Sequence, residues 1–452
     1  DLHGNVNKGE KCPDGSMDFN IFNIKEVGVC IALFVKTGLK NNKNKGIYFN
    51  EVFGTQDYKK NYLIEKSITD EKWVELEDDK KWHWFTKVKS NEKYLNEFIG
   101  LNKIFDNINS GVKTDRDSLF IDKDKNELTK RMKILFSKNL NDDFINKYNV
   151  KNSSGYKLVE KIKNENFEEN NIIKMHYRPF DFQFIYYKIG ITSRPAYTTV
   201  KNFLNNNKNI GLVFPRQIAG AYGFQHGLVS EFIIDVATGG AKTGSETYFA
   251  PLYLYEENSK GEFKWRLPAS GVEKSYKPNW TDSFKEFLKN YISDNPKEIL
   301  NYIYAILYSP TYRENYKEDL KYDYPRIPFT KDKNIFDGLQ KLGGELIDLH
   351  LLKKVPQSNA GYPNKGEHKI SYSKYNEEEK RLYINEKQYF ENVKKEVYNY
   401  SIGGYKPIEK YIKAREILTL KDISHLIKVI AVIERTIYLQ EEIDKVWREA
   451  DF

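Results

Sequence analysis

The run IIKMHYRPFDFQFIYY, residues 172–187, opens the most strand-like part of the chain, because aromatic and β-branched side chains dominate it. Three further runs of this kind follow, separated by Gly, Pro and Asn: NIGLVFP (209–215), EFIIDV (231–236) and YFAPLYLY (248–255). The pattern predicts a set of short strands joined by turns. Within the first run we expect Arg178 and Asp181 to form an ion pair at a strand start, with the aromatic side chains in the core.

Helical patterns lie on both sides of this β-rich part. Residues 58–66 are predicted to form an amphipathic helix, and 420–447 is the longest helical pattern in the chain. The stretch NPKE at 295–298 supplies an N-cap residue, a first-turn proline and an acid at the third position, ahead of the apolar run ILNYIYAIL. Tyrosines at helical spacing are more often core residues than stacking platforms, so we expect those of 301–312 to be packed inside.

Two apolar runs lie near the start of the chain, VGVCIALFVKTG at 27–38 and GIYFNEVF at 46–53. Strands that are apolar on both faces belong in the middle of a layered α/β domain. We predict an antiparallel hairpin of Val27–Val35 against Ile47–Phe53, at the end of an incomplete sheet that residues 1–60 form.

The composition argues against several classes of protein. No run approaches 18 apolar residues, and two cysteines are too few for a disulfide scaffold, which predicts a soluble, cytoplasmic chain with no membrane partner. There is no GxSxG elbow and no GxxxxGK[ST] phosphate loop, and the seven histidines never pair at i, i+4. A hydrolase would need a nucleophile and a base that we do not find. We therefore predict no catalytic residue and no metal site.

The net charge of +8 favours an acidic partner. Only 12 of the 72 basic residues are arginine, so each arginine is informative, since its planar guanidinium suits bidentate contacts. Five of them lie in one part of the sequence: Arg116, Arg131, Arg178, Arg194 and Arg216. We interpret this part as the binding surface, with ion pairs inside the protein as the alternative explanation for about half of them.

Nine segments are informative when they are taken in order. They are DLHGN (1–5), FNIKEVGVCIALFVK (22–36), SGVKTDRD (110–117), YRPFDFQFIYY (177–187), TYFAPLYLY (247–255), NYIYAILYSPTYRENYKEDLKYDYPRIP (301–328), ELIDLHLL (345–352), IGGYKPIEKYIKAR (402–415) and ISHLIKVIAVIERTI (423–437). In this order they resemble the C-terminal part of type ISP restriction-modification enzymes and of related adenine-specific DNA methyltransferases that carry a type ISP specificity domain. The resemblance spans almost the whole chain.

The resemblance implies an α/β, or mixed α+β, fold with four parts. Residues 1–90 would be the last strands of a Rossmann-like methyltransferase domain, and 91–171 a helical connector. Residues 172–330 would be a target recognition domain, β-rich and then helical, and 331–452 the helical C-terminal part of the specificity domain.

The resemblance also implies a reaction for the complete enzyme, which transfers a methyl group from S-adenosylmethionine to adenine N6. Neither FxGxG nor [ND]PP[YF], the cofactor and catalytic motifs, occurs in the 452 residues. We therefore expect the chain to be a fragment that holds no cofactor and cannot methylate DNA alone. The preceding methyltransferase portion, and any nuclease or helicase portion, would be missing from it.

Double-stranded DNA is the partner that the resemblance implies. Recognition of DNA needs cations for phosphates and forked donors such as Arg, Gln and Asn for base edges. Three loops and one further arginine offer them: SGVKTDRD with Lys113 and Arg116, FPRQIAG (214–220) with Arg216 and Gln217, GGAKTGSET (239–247) with Lys242, Thr243 and Ser245, and Arg194.

Two alternatives remain open at this point. Each of the three loops could be an ordinary surface turn. The aromatic content of 15% would also suit a carbohydrate- or polymer-binding module, which explains the tyrosines but not the cluster of arginines.

Overall fold

The computed structural model describes residues 1–5, 10–24, 27–36, 46–76, 91–137, 139–204, 207–218, 223–241, 244–256, 275–450 and 452. The chain divides into two units, one containing Asp1–Leu95 and the other Asn96–Ile218 with Gly223–Phe452. Several small sheets alternate with helices, which gives a mixed α and β architecture.

The strands are β1 (Ile47–Phe49), β2 (Val74–Leu76), β3 (Ile99–Gly100), β4 (Asn109–Ser110), β5 (Ile121–Asp122), β6 (Ile172–Arg178), β7 (Asp181–Tyr186), β8 (Gly211–Pro215), β9 (Leu228–Ser230), β10 (Ile233–Ile234), β11 (Thr247–Pro251), β12 (Tyr253–Tyr255), β13 (Tyr276–Pro278), β14 (Arg326–Ile327), β15 (Lys374–Asn376), β16 (Arg381–Tyr383) and β17 (Tyr389–Phe390).

The α-helices are α1 (Gln56–Glu65), α2 (Glu92–Glu97), α3 (Leu101–Ile104), α4 (Asp117–Phe120), α5 (Lys125–Phe136), α6 (Asp142–Tyr148), α7 (Leu158–Ile162), α8 (Tyr197–Val200), α9 (Asp282–Leu288), α10 (Pro296–Tyr308), α11 (Pro310–Asn315), α12 (Lys333–His350), α13 (Lys395–Asn399), α14 (Pro407–Lys413) and α15 (Leu420–Glu449). Three short 3₁₀ turns, Glu169–Asn171, Lys201–Phe203 and Asp319–Lys321, complete the described elements.

The predicted hairpin of Val27–Val35 against Ile47–Phe53 is wrong. Residues 27–36 form no strand, and β1 pairs with β2 instead. The cause is that the first residues of the chain bond to both runs. Leu2 N–H donates to the Val29 carbonyl at 2.8 Å, whereas Val52 N–H donates to the Asp1 carbonyl at 2.9 Å. Because these backbone groups of the two runs already bond to residues 1–3, they do not bond to each other.

The helix predicted at 58–66 is confirmed as α1, but its predicted amphipathic character is wrong, because Leu63 and Ile64 are exposed and its buried residue is a lysine. The Lys59 ammonium donates to the Leu2 carbonyl at 2.7 Å, to Asp18 Oδ2 at 2.8 Å and to the Phe19 carbonyl at 2.7 Å. A buried ammonium needs such partners, because burial of an unpaired charge costs several kcal/mol. Lys59 thereby fixes the start of the chain against α1.

The four β-rich runs predicted between 172 and 256 are confirmed. The first run forms β6 and β7, the second forms β8, the third forms β10, and the fourth forms β11 and β12. They build most of two four-stranded sheets, with strand orders β10-β6-β7-β5 and β4-β11-β8-β9. The first sheet packs against helix α5 through a core that includes Leu128, Met132 and Tyr186. The second sheet carries the candidate site described below.

The predicted ion pair between Arg178 and Asp181 is wrong, although the two residues lie opposite each other across the β6–β7 turn. Arg178 Nη1 lies 2.6 Å from Asp235 Oδ1, and Asp181 Oδ1 lies 3.2 Å from Arg415 Nη2. Asp235 follows β10, which pairs in parallel with β6, and Arg415 follows α14. Segments distant in sequence therefore supply the partners of both charges.

Helices α10, α12 and α15 form the helical core. The Asn295 side chain caps α10 with Pro296 in its first turn, as predicted, and the longest pattern is confirmed as α15. Tyr302, Tyr304 and Tyr308 are fully buried, which confirms that the tyrosines of this segment are packing residues. Their hydroxyls still find partners, such as the Pro328 carbonyl, to which Tyr302 donates at 2.7 Å.

Substitution of Gly343 by Ala should destabilise the protein, because α12 lies against α10 at this position. A Cβ atom at Gly343 would lie 1.9 Å from the Asn301 carbonyl oxygen. We expect Gly343→Ala to lower the free energy of unfolding by about 1–3 kcal/mol, the usual cost of overpacking. Urea denaturation measures this change.

Gly338 is the matched control on the same helix, since a Cβ atom there would make ordinary contacts of 3.4 and 3.6 Å with Val446. Gly338→Ala should be neutral or stabilising by up to about 1 kcal/mol, because Ala favours helix more than Gly. Equal effects of the two substitutions would contradict the close contact between the helices.

Candidate nucleic-acid interface

Three of the predicted loops leave the β4-β11-β8-β9 sheet at the same end. Thr247, the first residue of β11, lies opposite Pro215, the last residue of β8. Gly111, which follows β4, donates its N–H to the Thr247 carbonyl at 2.9 Å. The loops after β4, after β8 and before β11 are SGVKTDRD, FPRQIAG and GGAKTGSET, and the described part of FPRQIAG ends at Ile218. We call this end of the sheet the loop edge.

Lys113 and Arg194 lie together at the loop edge. The Lys113 N–H donates to the Arg194 carbonyl at 3.0 Å, and the Arg194 N–H donates back to the Lys113 carbonyl at 2.9 Å. Lys113 Nζ lies 2.8 Å from Asp115 Oδ1, and Arg194 Nη1 lies 2.7 Å from Glu246 Oε1. The side chains of Lys113 and Arg194 are 42% and 45% exposed. Exposed pairs contribute about 0–1 kcal/mol, so a phosphate group can replace either carboxylate at small cost.

Asp115 holds Lys113 in place. Its backbone has a positive φ of 56°, and its carboxylate accepts a short hydrogen bond from the Ser193 hydroxyl. Partial burial acts to raise the pKa of Asp115, but the hydrogen bonds from Lys113 and Ser193 outweigh it, so the pKa is lowered overall. Asp115 is therefore ionised at neutral pH and orders the cation beside it.

The side chain of Arg116 bonds to the protein's own backbone. Its guanidinium donates to three backbone carbonyls, those of Asn149 at 2.8 Å, Asp115 at 2.6 Å and Lys151 at 3.2 Å. Donors that already bond to carbonyls have little capacity left for a base edge. The contacts of Arg116 fix the SGVKTDRD loop against residues 149–151.

Arg216 and Gln217 follow β8 directly. Arg216 Nε lies 3.5 Å from Asp323 Oδ1, its guanidinium lies 5.5 Å from the centre of the Tyr324 ring, and its side chain is 52% exposed. Gln217 Nε2 donates to the Tyr322 carbonyl at 3.1 Å. At 3.5 Å the Arg216 pair is a long one, and the planar guanidinium is the group that reads guanine by bidentate contact.

The third loop is only partly described. Lys242 and Thr243 lie outside the described residues, and Ser245 is buried. A Cβ atom at Gly240 would lie 1.9 Å from the Ser245 carbonyl oxygen, so the loop closes tightly on itself. Ser245 therefore contributes to the shape of the loop.

Sequence reasoning missed the residues that support the loop edge. Glu246, Asp115 and Asp323 pair with the candidate cations, and Tyr324 packs edge-on against Phe214 at 6.0 Å. The glycine pair in IGGY was a further signal. A Cβ atom at Gly403 would lie 2.4 Å from the His226 ring and 2.6 Å from the Gly239 carbonyl oxygen, and the φ of Gly403 is +56°. Only glycine fits beneath the loop at this point.

The part of the chain that the structure describes lacks two other kinds of functional feature. No group of three or more His, Cys, Asp or Glu side chains there is placed to hold a metal ion. Among the helices of the same ranges, none is both long enough and apolar enough to cross a bilayer.

Residues 103–442 match the family described as the type ISP C-terminal specificity domain. The chain belongs to this family. The match includes every candidate residue of the loop edge, from Lys113 to Ser245, and it leaves residues 1–102 outside. No curated protein sequence matches this type ISP specificity chain.

Three solved structures resemble this type ISP chain. The nuclease-deletion mutant of the type ISP enzyme LlaGI, in complex with a DNA substrate mimic, has a TM-score of 0.60 and 21% identity, over 89% of this chain and 33% of that one. The ATP-dependent type ISP enzyme LlaBIII bound to DNA has a TM-score of 0.69 and 21% identity, over 98% of this chain and 30% of that one. The DrdV–DNA complex has a TM-score of 0.66 and 18% identity, over 100% of this chain and 47% of that one. The chain thus spans less than half of each relative, and the likeness is one of fold.

Proposed function

We propose that this type ISP specificity chain recognises a DNA sequence for a restriction-modification enzyme, and that double-stranded DNA binds at its loop edge. The observation that carries the proposal is the meeting of three loops at one end of a single sheet, where Lys113, Arg194 and Arg216 are about half exposed. Each is held by an exposed carboxylate that a phosphate can replace. The similar structures of LlaGI, LlaBIII and DrdV contain DNA, which supports the choice of partner.

The roles of the three cations follow from their geometry. Lys113 and Arg194 are joined through the backbone and each carries a surface ion pair, which suits contact with phosphates. Arg216 emerges from a strand end next to an aromatic ring with a guanidinium that can donate two parallel hydrogen bonds. We assign Arg216 and Gln217 to base reading, Gln217 through its Oε1 atom because its Nε2 atom already donates to the Tyr322 carbonyl. We assign Lys113 and Arg194 to positioning on the phosphates.

The same proposal covers the complete enzyme. Residues 1–90 would belong to a Rossmann-like methyltransferase domain, and the enzyme would methylate adenine N6 with S-adenosylmethionine in the cytoplasm. The large apolar side chains of Leu33, Phe34 and Val35 are 69–84% exposed, and contiguous exposed apolar side chains mark a surface that another element covers. Methyl transfer from labelled cofactor to DNA by the complete enzyme, together with calorimetry of the cofactor against this chain, tests the assignment. Micromolar cofactor binding by the chain alone would contradict it.

Arg216→Ala should cost about 1–3 kcal/mol in binding to the cognate site and relax the preference at one base pair, because a bidentate base contact is lost.

Lys113→Ala should weaken the binding of cognate and random DNA about equally, since a phosphate contact carries no base information. It should also reduce the slope of log affinity against log salt concentration by about one. Binding of a randomised-site library at two salt concentrations measures both effects.

Lys285→Ala is the matched control, because Lys285 is an exposed lysine of α9 and α9 is not part of these loops. Lys285 Nζ lies 2.8 Å from Asp282 Oδ1. It should change neither affinity nor preference. If Arg216→Ala lowers affinity uniformly for all sequences, Arg216 is a phosphate contact and the bases are read elsewhere. If it changes nothing, the loop edge is not the DNA-binding surface.

A further inference from the structure

A second basic surface lies at the other end of the same sheet. A cleft of about 1040 Å³ is lined there by Ile210, which precedes β8, and by Phe232, which follows β9. Arg216 follows the opposite end of β8, and six residue steps along a strand span about 20 Å. Helices α10 and α12 supply the facing wall of the cleft through Leu300 and Gly344. The cleft is therefore separate from the loop edge.

The cleft carries a surplus of positive charge. Its lining includes six cations and three carboxylates: Lys208, Lys297, Lys341, Lys353, Lys354 and Arg435, with Glu231, Glu345 and Asp348. Lys353 pairs with Glu231, Lys354 with Asp348 at 2.6 Å, and Arg435 with Glu345 at 2.7 Å. Lys208, Lys297 and Lys341 have no carboxylate within ion-pair distance among the residues described, and all three are exposed. Three unpaired lysines thus face one concave surface.

Unpaired like charges around a concavity repel one another and concentrate a positive potential that attracts anions. The amide of Asn301 adds hydrogen-bond donors to the lining. A volume of about 1040 Å³ lies at the upper limit of small-molecule pockets, about 1000 Å³, which favours an extended polyanion over a single nucleotide. Lysine contacts phosphate as a point charge and needs no fixed orientation.

We propose that this cleft binds the phosphate backbone of a DNA strand, as a sequence-independent contact in addition to the loop edge. The inference uses the proposed function to choose DNA as the polyanion, but its residues are different ones. It assigns to Lys208, Lys297 and Lys341 a share of the affinity and salt dependence, and none of the base preference.

The test is the triple variant K208Q/K297Q/K341Q, with binding to a random-sequence duplex measured over a series of salt concentrations. Loss of three phosphate contacts should reduce the salt slope by about 2–3, at about 0.9 per contact. The matched control is K285Q/K289Q/K317Q, which removes three exposed lysines that pair with carboxylates three residues before them. The control removes the same net charge and should leave the slope almost unchanged. Equal slopes for the two triple variants would overturn the inference.

A second measurement identifies the ligand and separates the two proposals. DNA should protect Lys208, Lys297 and Lys341 from acetylation in the unmodified chain, and should leave Lys285 reactive. Protection by a nucleoside triphosphate but not by DNA would overturn the inference. A chain that shows no base preference, yet loses salt slope on K208Q/K297Q/K341Q, would refute the proposed recognition function and support the cleft. The reverse pattern would refute the cleft alone.

Discussion

His176→Phe should raise the free energy of unfolding at pH 5 by about 2 kcal/mol more than it does at pH 7.5. His176 is buried on β6 and stacked on Phe182, with 4.6 Å between the ring centres. Neither ring nitrogen reaches a hydrogen-bond partner in the described part of the chain. Burial lowers the pKa of His176 to about 3, while the backbone of Arg178 acts to raise it and the charge of Lys174 adds a smaller lowering.

The sign follows from where the proton binds. In the unfolded chain a histidine has a pKa of about 6.5, so between pH 6.5 and pH 3 the unfolded state takes up a proton that the folded state does not. Stability is therefore complete above pH 6.5 and falls as the pH falls towards 3. Phenylalanine takes up no proton in either state, and the variant avoids this loss.

Urea denaturation of both chains at pH 7.5, 6 and 5 measures the effect. The difference at pH 7.5 reports the packing of Phe against His, so the change of that difference with pH isolates the proton. Burial also lowers the pKa values of His226 and His350 to about 3. Three such residues give the unmodified chain a slope of up to about 4 kcal/mol per pH unit below pH 6. A difference that is the same at all three pH values would show that His176 protonates in the folded state.

Arg415→Ala should lower the free energy of unfolding by about 3–5 kcal/mol, because it leaves a buried carboxylate without its cation. The side chains of Arg415 and Asp181 are only 4% and 6% exposed, with Arg415 Nη2 3.2 Å from Asp181 Oδ1. Arg415 Nε also lies 3.0 Å from Asp422 Oδ1, and Asp422 forms the capping box of α15 with Thr419. The guanidinium thus joins the β6–β7 turn to the start of the longest helix.

Arg194→Ala is the control for this prediction, because Arg194 and Glu246 form a pair that is exposed on both sides. Its effect on stability should stay within about 1 kcal/mol, whereas its affinity for DNA should fall. Arg415→Ala should show the opposite pattern under conditions in which it remains folded. Urea denaturation and DNA binding of the two variants make the comparison. A loss below about 1 kcal/mol for Arg415→Ala would show that Asp181 finds another partner or reaches water.

Short patterns in the sequence predicted most of the secondary structure, and the order of nine segments predicted the family. Strands β6, β7, β8 and β11, the cap of α10 and the length of α15 all follow from patterns within a few residues. Such patterns are reliable because backbone hydrogen bonds in helices, and the alternation of side chains in strands, act over short distances in the chain. The nine segments in sequence order also pointed to the family that residues 103–442 match.

Only the tertiary structure decided which distant segments meet. In the tertiary structure β1 pairs with β2, Arg178 forms an ion pair with Asp235, and Arg194 lies beside Lys113 at the loop edge. The three unpaired lysines of the cleft come from a loop, from α10 and from α12, with no shared local pattern. Ladder partners and ion pairs depend on how sheets and helices pack, and neither periodicity nor capping encodes that choice. The sequence by itself determined the elements and the family, and the packing of those elements determined the two candidate surfaces.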